Sequence, residues 1–210
     1  LAELKLFGVN YTVFKLINLV LFYLTAVFVY HIARRINSQL NPYSTISNFT
    51  GLVAAILFIA SPYQTETINW FASQAYILST LLALVSLNYY LMFKESGKRK
   101  HVVFYFLFLF LSILSKEISI VLPIIIIALA WLLGKLTKEN TKLFLIGNIT
   151  VLGVYFLFRY IFLGNIIGGY GVETHLNFDL RTLGFGVKAY MAKFFLLYRY
   201  STTLAVTLGL

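Results

Sequence analysis

The sequence predicts an all-α fold, a polytopic transmembrane bundle of about seven helices forming a single domain over residues 1–210. Three observations predict it. Of the 210 residues 60% are hydrophobic and only 11% charged, against about 25% charged in soluble domains. Mean hydropathy is +0.85. The charges that do occur fall between long apolar runs, several of which approach the roughly 20 residues needed to cross a bilayer core. A soluble enzyme, a disordered tail and a disulfide scaffold are excluded, the last because Cys is 0. The net charge of +10 does not indicate nucleic acid, since the cations are not gathered on one solvated face.

The expected spans run approximately from Val13 to His31, Phe49 to Pro62, Ala75 to Phe93, Val102 to Leu114, Ile118 to Leu133, Leu143 to Leu163, and from Tyr190 into the final residues. The second and fourth are short, and Arg199 interrupts the seventh. Three connections are basic: Arg34 with Arg35; Lys94, Lys98, Arg99 and Lys100; and Lys135, Lys138 and Lys142. Short loops rich in Lys and Arg stay on the cytoplasmic side. Placing all three there requires an even number of crossings between each pair, and therefore two hairpins that turn outside. The first turns between Ser61 and Gln74, which holds Glu66 and no Lys or Arg; the second turns at Ser115, Lys116 and Glu117. A single helix from Val102 to Leu133 is the rival. It would leave Lys116 near mid-membrane, at about 2.5 to 3.5 kcal/mol on insertion scales, and would send two basic loops to opposite sides. Pro123 is accommodated in the first turns of the fifth helix.

After the sixth span a polar stretch from Gly164 to Lys188 carries four glycines up to Gly171, then Glu173, His175 and Asp179. It reads as an extracytoplasmic loop with glycine's backbone freedom. The chain opens at Leu1 without an initiator Met or a charged leader, and is expected to be part of a longer protein.

Ionisable groups in or beside spans need a partner, a wet cavity or a route to the interface. Glu66, Lys116, Glu117 and Arg159 fall at the outer ends of their helices, with Glu173, His175 and Asp179 beyond, which implies a cavity that opens outward. Glu66 has Gln64, Thr65 and Asn69 around it. It is either part of an interfacial turn or a hydrogen-bonded acid able to orient a hydroxyl; Trp70 and Tyr76 suit an aromatic belt. Lys116 and Glu117 are neighbours in sequence, so they point apart and each requires another partner. A snorkelling lysine is one reading of Lys116. The other gives it to a lipid phosphate while Glu117 braces the site or pairs with Arg159, whose planar fork also suits phosphate. Lys15, near the outer start of the first span, reads as an interfacial anchor, with phosphate binding as the alternative. His31, His101 and His175 lack zinc spacing, and no Walker loop, GxGxxG or Gly-x-Ser-x-Gly motif occurs.

The runs Phe7 to Asn18, Leu57 to Trp70, and Leu114 to Glu117 with Leu122-Pro123 resemble the integral-membrane GT-C glycosyltransferases, specifically O-mannosyltransferase-like proteins that carry tetratricopeptide repeats and their bacterial relatives. In the motif His-Pro-x-His-Thr-Glu-x-x-x-Trp of that branch, Pro62, Thr65, Glu66 and Trp70 match, while Ser61 and Gln64 stand in place of the histidines. Ser115, Lys116 and Glu117 match a Ser-Lys-Glu motif, and Arg159 matches an arginine in the helix before the large outer loop.

The resemblance implies a GT-C-like fold and an enzyme that moves a sugar such as mannose, with inversion, from a polyprenyl-phosphate carrier to a protein or glycan acceptor outside the cytoplasm. It implies residence in a bacterial or archaeal cytoplasmic membrane or the endoplasmic reticulum. It also implies that the principal catalytic carboxylate lies upstream of Leu1. Glu66 is then a supporting, acceptor-orienting residue, and Lys116, Glu117, Arg159, Gln64 and Trp70 bind substrate. No cofactor motif is present, and divalent-metal use stays open because only some members of the fold need one. A transporter or flippase-like protein and a non-catalytic membrane subunit are the alternatives.

Overall fold

The computed structural model describes residues 11–41, 46–61, 68–70, 73–133, 138–164, 184 and 188. The chain divides into two units, Leu1–Phe162 and Leu163–Leu210. Six α-helices run through the first to its boundary: α1 Tyr11–Leu40, α2 Ser47–Ala60, α3 Gln74–Ser96, α4 Arg99–Ser115, α5 Leu122–Leu132 and α6 Lys138–Leu163. The architecture is therefore all-helical, with no strand among the described residues, but with six helices there and not seven. The span expected from Tyr190 onward, and the loop expected over 164–188 apart from Gly164, Gly184 and Lys188, lie outside the described residues.

Among the described residues, three helices are long and apolar enough to cross a membrane: α1, α3, and α6 over Lys142–Leu163. The helix α2 and the segment Glu117–Leu132 are shorter apolar pieces. Which surfaces are apolar matters as much as length. Outward-facing side chains include Val20, Tyr23, Leu57, Ile146, Ile161 and Phe162, whereas Asn18, Thr25, Ser79, Ser86, Ser112 and Asn148 are buried. Water would favour the opposite arrangement; a hydrocarbon solvent favours this one, with small and polar residues between helices.

Helices α1 and α2 form an antiparallel pair. Gly51 lets α2 approach the Tyr30 backbone, whose carbonyl oxygen would stand 2.8 Å from an added Cβ, and the Phe22 and Phe58 rings stack at 5.2 Å. Between α3 and α4, Ser79, Ala83 and Ser86 form a small-residue stripe. Ser86 Oγ donates to the Tyr105 carbonyl at 2.9 Å, and Ser79 Oγ donates to the Ser112 carbonyl at 3.0 Å. Gly97 turns the chain with φ 66°, and its N–H closes α3 on the Phe93 carbonyl at 2.8 Å. The core centres on Leu91, Tyr105, Leu109 and Ile113. Helix α6 joins it through Phe144 against Tyr90 and Tyr105, and through Tyr105, whose hydroxyl donates to Asn148 Oδ1 at 2.7 Å.

Two expected elements change shape. The first helix continues past His31 to Leu40, because the polar segment after the apolar run keeps good helix formers and meets no Pro or Gly before Asn41. The fifth does not start as an α-helix at Ile118. Glu117–Val121 is a 3-10 turn and the α-helix begins at Leu122, with Pro123 in its first turn. Pro123 has no N–H to return to the Ser119 carbonyl, so regular α-helix cannot extend back through it.

The single helix expected as the rival over Val102 to Leu133 is not formed: α4 ends at Ser115 and a 3-10 turn follows from Glu117. Lys116 is extended, at φ −159° and ψ 134°, and the α4 helix ends there. Arg35 on α1 pairs with Glu95 on α3, so the first two basic connections share one end of the bundle.

Candidate functional site

The opposite end is organised by the α4–α5 turn. Its scaffold is a knot of buried serines. Ser79 Oγ lies 2.7 Å from Ser119 Oγ and 3.2 Å from the Lys116 carbonyl. Ser112 Oγ donates to the Ser79 carbonyl at 2.7 Å and meets Ser119 Oγ at 2.6 Å. Ser115 Oγ donates to the Ala75 carbonyl at 3.2 Å. The Lys116 carbonyl and the Ser115 and Ser119 hydroxyls on either side of it are thus tied to α3.

From this turn, Lys116 and Glu117 diverge as adjacent residues must. The Glu117 carboxylate accepts from Arg159 Nη1 at 2.5 Å, and the Lys116 ammonium sits 4.7 Å from the centre of the Tyr76 ring. Arg159 also donates to the Tyr155 hydroxyl, one turn earlier on α6, at 3.1 Å. The Arg159 side chain is 8% exposed and that of Glu117 34%. Two of the expected binding residues therefore form a braced strut between the turn and α6. Lys116 is set apart from that pair, with its charge over an aromatic face.

Trp70 is 69% exposed, as an aromatic belt residue would be, and its carbonyl accepts from Ser73 N–H at 3.0 Å. Lys15 is exposed near the start of α1. Gln64 and Glu66 lie outside the described residues, as do Glu173, His175 and Asp179. Asn18, buried on α1, reaches toward the first hairpin by donating from Nδ2 to the Ile68 carbonyl at 3.3 Å. Among the described residues no group of three or more His, Asp or Glu is placed to hold a metal ion.

Sequence reasoning missed Tyr155 and the serine knot. Signals for both exist: Tyr155 precedes Arg159 by one helical turn, and the α3 serines recur at small-residue packing intervals. At the basic end, His101 is buried at the head of α4. Burial first, then the charges of Lys100, Lys98 and Arg35, hold its imidazole below the ordinary histidine range.

No protein-family model, curated protein or solved structure matches this chain. The functional reading therefore rests on the residues and their arrangement.

Proposed function

We propose that this chain is the membrane core of a glycosyltransferase that uses a polyprenyl-phosphate sugar, with the α4–α5 turn at the donor phosphate. The observation that carries the reading is the turn itself: a lysine over an aromatic face and, set apart from it, a nearly buried, carboxylate-braced arginine, both at one end of an apolar-faced helical bundle. A polyprenyl-phosphate sugar presents its phosphate at the membrane surface, where a cation on the leaving group lowers the barrier to departure.

In this reading Lys116 supplies a mobile point charge to the phosphate. Arg159, held by Glu117 and Tyr155, keeps the turn against α6. An acceptor hydroxyl attacks the anomeric carbon, the bond from that carbon to the phosphate oxygen breaks, and the hydroxyl proton passes to a carboxylate base. Glu66 orients the acceptor in support of that base, and Gln64 and Trp70 complete the sugar site.

The test is transfer of label from a panel of polyprenyl-phosphate sugars to membrane acceptors by the full-length gene product and its Lys116→Ala variant. Transfer by the parent and loss in a variant that still inserts is the expected result. Full activity in the variant removes Lys116 from the phosphate role. Absence of transfer with every donor, from well-inserted protein, overturns the enzyme reading in favour of a transport protein or non-catalytic subunit.

A further inference from the structure

The basic end of the bundle contains a cavity of about 450 Å³ that the transferase reading does not use. Its walls come from three helices. Helix α1 contributes His31, Arg34, Arg35 and Ser38, which at i, i+3, i+4 and i+7 spacing share one face. Asn48 lines it from the first turn of α2, and Glu95 from the last turn of α3.

Charge decides what such a cavity attracts. Glu95 is already engaged: its Oε2 accepts from Arg35, and its Oε1 accepts from Gln39 Nε2 at 3.3 Å. Arg34 is exposed and has no carboxylate partner among the described residues. One arginine is thus fixed by a carboxylate while the other presents its planar fork, with histidine and asparagine side chains nearby as neutral donors. That set matches a phosphate, which offers several acceptor oxygens and a delocalised negative charge.

Depth and surroundings decide how the phosphate arrives. Helix α1 is 30 residues long, or about 45 Å at 1.5 Å per residue, against about 30 Å of hydrocarbon. Its apolar run ends at Tyr30, so His31 to Ser38 form the two turns beyond that run, at headgroup depth. Directly beside Asn48, the exposed residues Phe49, Leu52, Val53 and Ile56 make a continuous stripe along α2, also at i, i+3, i+4 and i+7. A soluble phosphate compound has no use for that stripe; acyl chains lying below a bound headgroup do. Basic pockets between membrane helices are known to hold anionic headgroups.

We propose that this cavity is a binding site for the phosphate headgroup of an anionic phospholipid, read by Arg34 and Arg35, with the acyl chains along the Phe49 to Ile56 stripe of α2. The proposal rests on the helices crossing a bilayer and is independent of glycosyl transfer.

The experiment is native mass spectrometry of the full chain released from detergent, titrated with phosphatidylglycerol, phosphatidylcholine or inorganic phosphate. One phosphatidylglycerol is expected to bind at least tenfold more tightly than phosphatidylcholine. Arg34→Gln should remove that preference and Arg34→Lys should restore part of it. Arg34→Gln removes no ion pair among the described residues, so its melting temperature should equal the parent's, which separates lost binding from lost folding. Glu95→Gln should bind phosphatidylglycerol no more weakly than the parent. Equal binding of the two lipids, or selectivity unchanged by Arg34→Gln, overturns the site. If inorganic phosphate displaces the lipid at comparable concentration, the ligand is a soluble phosphate and the lipid assignment is overturned. Extraction of the chain from membranes by carbonate without detergent overturns the bilayer premise, whatever the transferase assay shows.

Discussion

Replacing Glu117 by Gln tests the strut that holds the α4–α5 turn to α6. Arg159 is nearly buried and Glu117 about a third exposed, at 8% and 34%, so the pair lies between two limits. Breaking a fully buried pair costs about 3–5 kcal/mol, and an exposed pair contributes about 0–1 kcal/mol. The guanidinium is the group that cannot reach solvent, but it keeps the Tyr155 hydroxyl and an amide oxygen in the variant. These considerations put the loss near 2 kcal/mol. For a chain of this size about 1 kcal/mol corresponds to roughly 2–4 °C, so the melting temperature in mild detergent should fall by about 4–8 °C. Removing both charges, as Glu117→Gln with Arg159→Gln, leaves no stranded buried ion and should recover part of the loss. A single variant within about 1 °C of the parent would refute the strut, as would a double variant whose loss equals the sum of the two singles.

Three further outcomes are expected. Ser79→Ala should cost about 1 kcal/mol, the scale of hydrogen bonds between membrane helices, and should speed hydrogen exchange over residues 115–121; unchanged exchange would mean that the serine knot does not hold the turn. Gly51→Leu places side-chain carbon 2.8 Å from the Tyr30 carbonyl oxygen, whereas Gly153 has open space around it. The first should destabilise the fold by about 1–3 kcal/mol of strain, seen as a lower melting temperature, and Gly153→Leu should leave the melting temperature nearly unchanged. His101 binds a proton less readily folded than unfolded. Its contribution is therefore intact above the ordinary histidine value of about 6.5 and is lost as pH falls below it; melting curves between pH 7.5 and 5.5 should show that slope, and His101→Phe should flatten it.

Much of the helical organisation was legible in the residues. The apolar runs located the six helices, because a segment bounded by charge must either span or end, and the cost of a mid-membrane lysine anticipated the helix break at Lys116. The adjacency of Lys116 and Glu117 was enough to require separate partners for them. Less could be read of the ends. The α1 extension to Leu40 carries no apolar signal, and the 3-10 turn before Pro123 depends on a local competition between one missing N–H and the serine contacts that stabilise the tighter turn.

What the sequence by itself determined is the class: a helical chain whose apolar surface suits lipid, with cations gathered in its connections. That follows from composition and periodicity, which act residue by residue. Tertiary structure alone decided the partners: Arg159 with Glu117 and Tyr155, Lys116 over Tyr76, the serines of three elements in one knot, and a cavity walled by α1, α2 and α3. Those meetings join residues that are mostly far apart in the chain. They depend on how the helices pair and on the register at which small residues such as Gly51 and Ser79 let them approach, and no local property of a single segment specifies either.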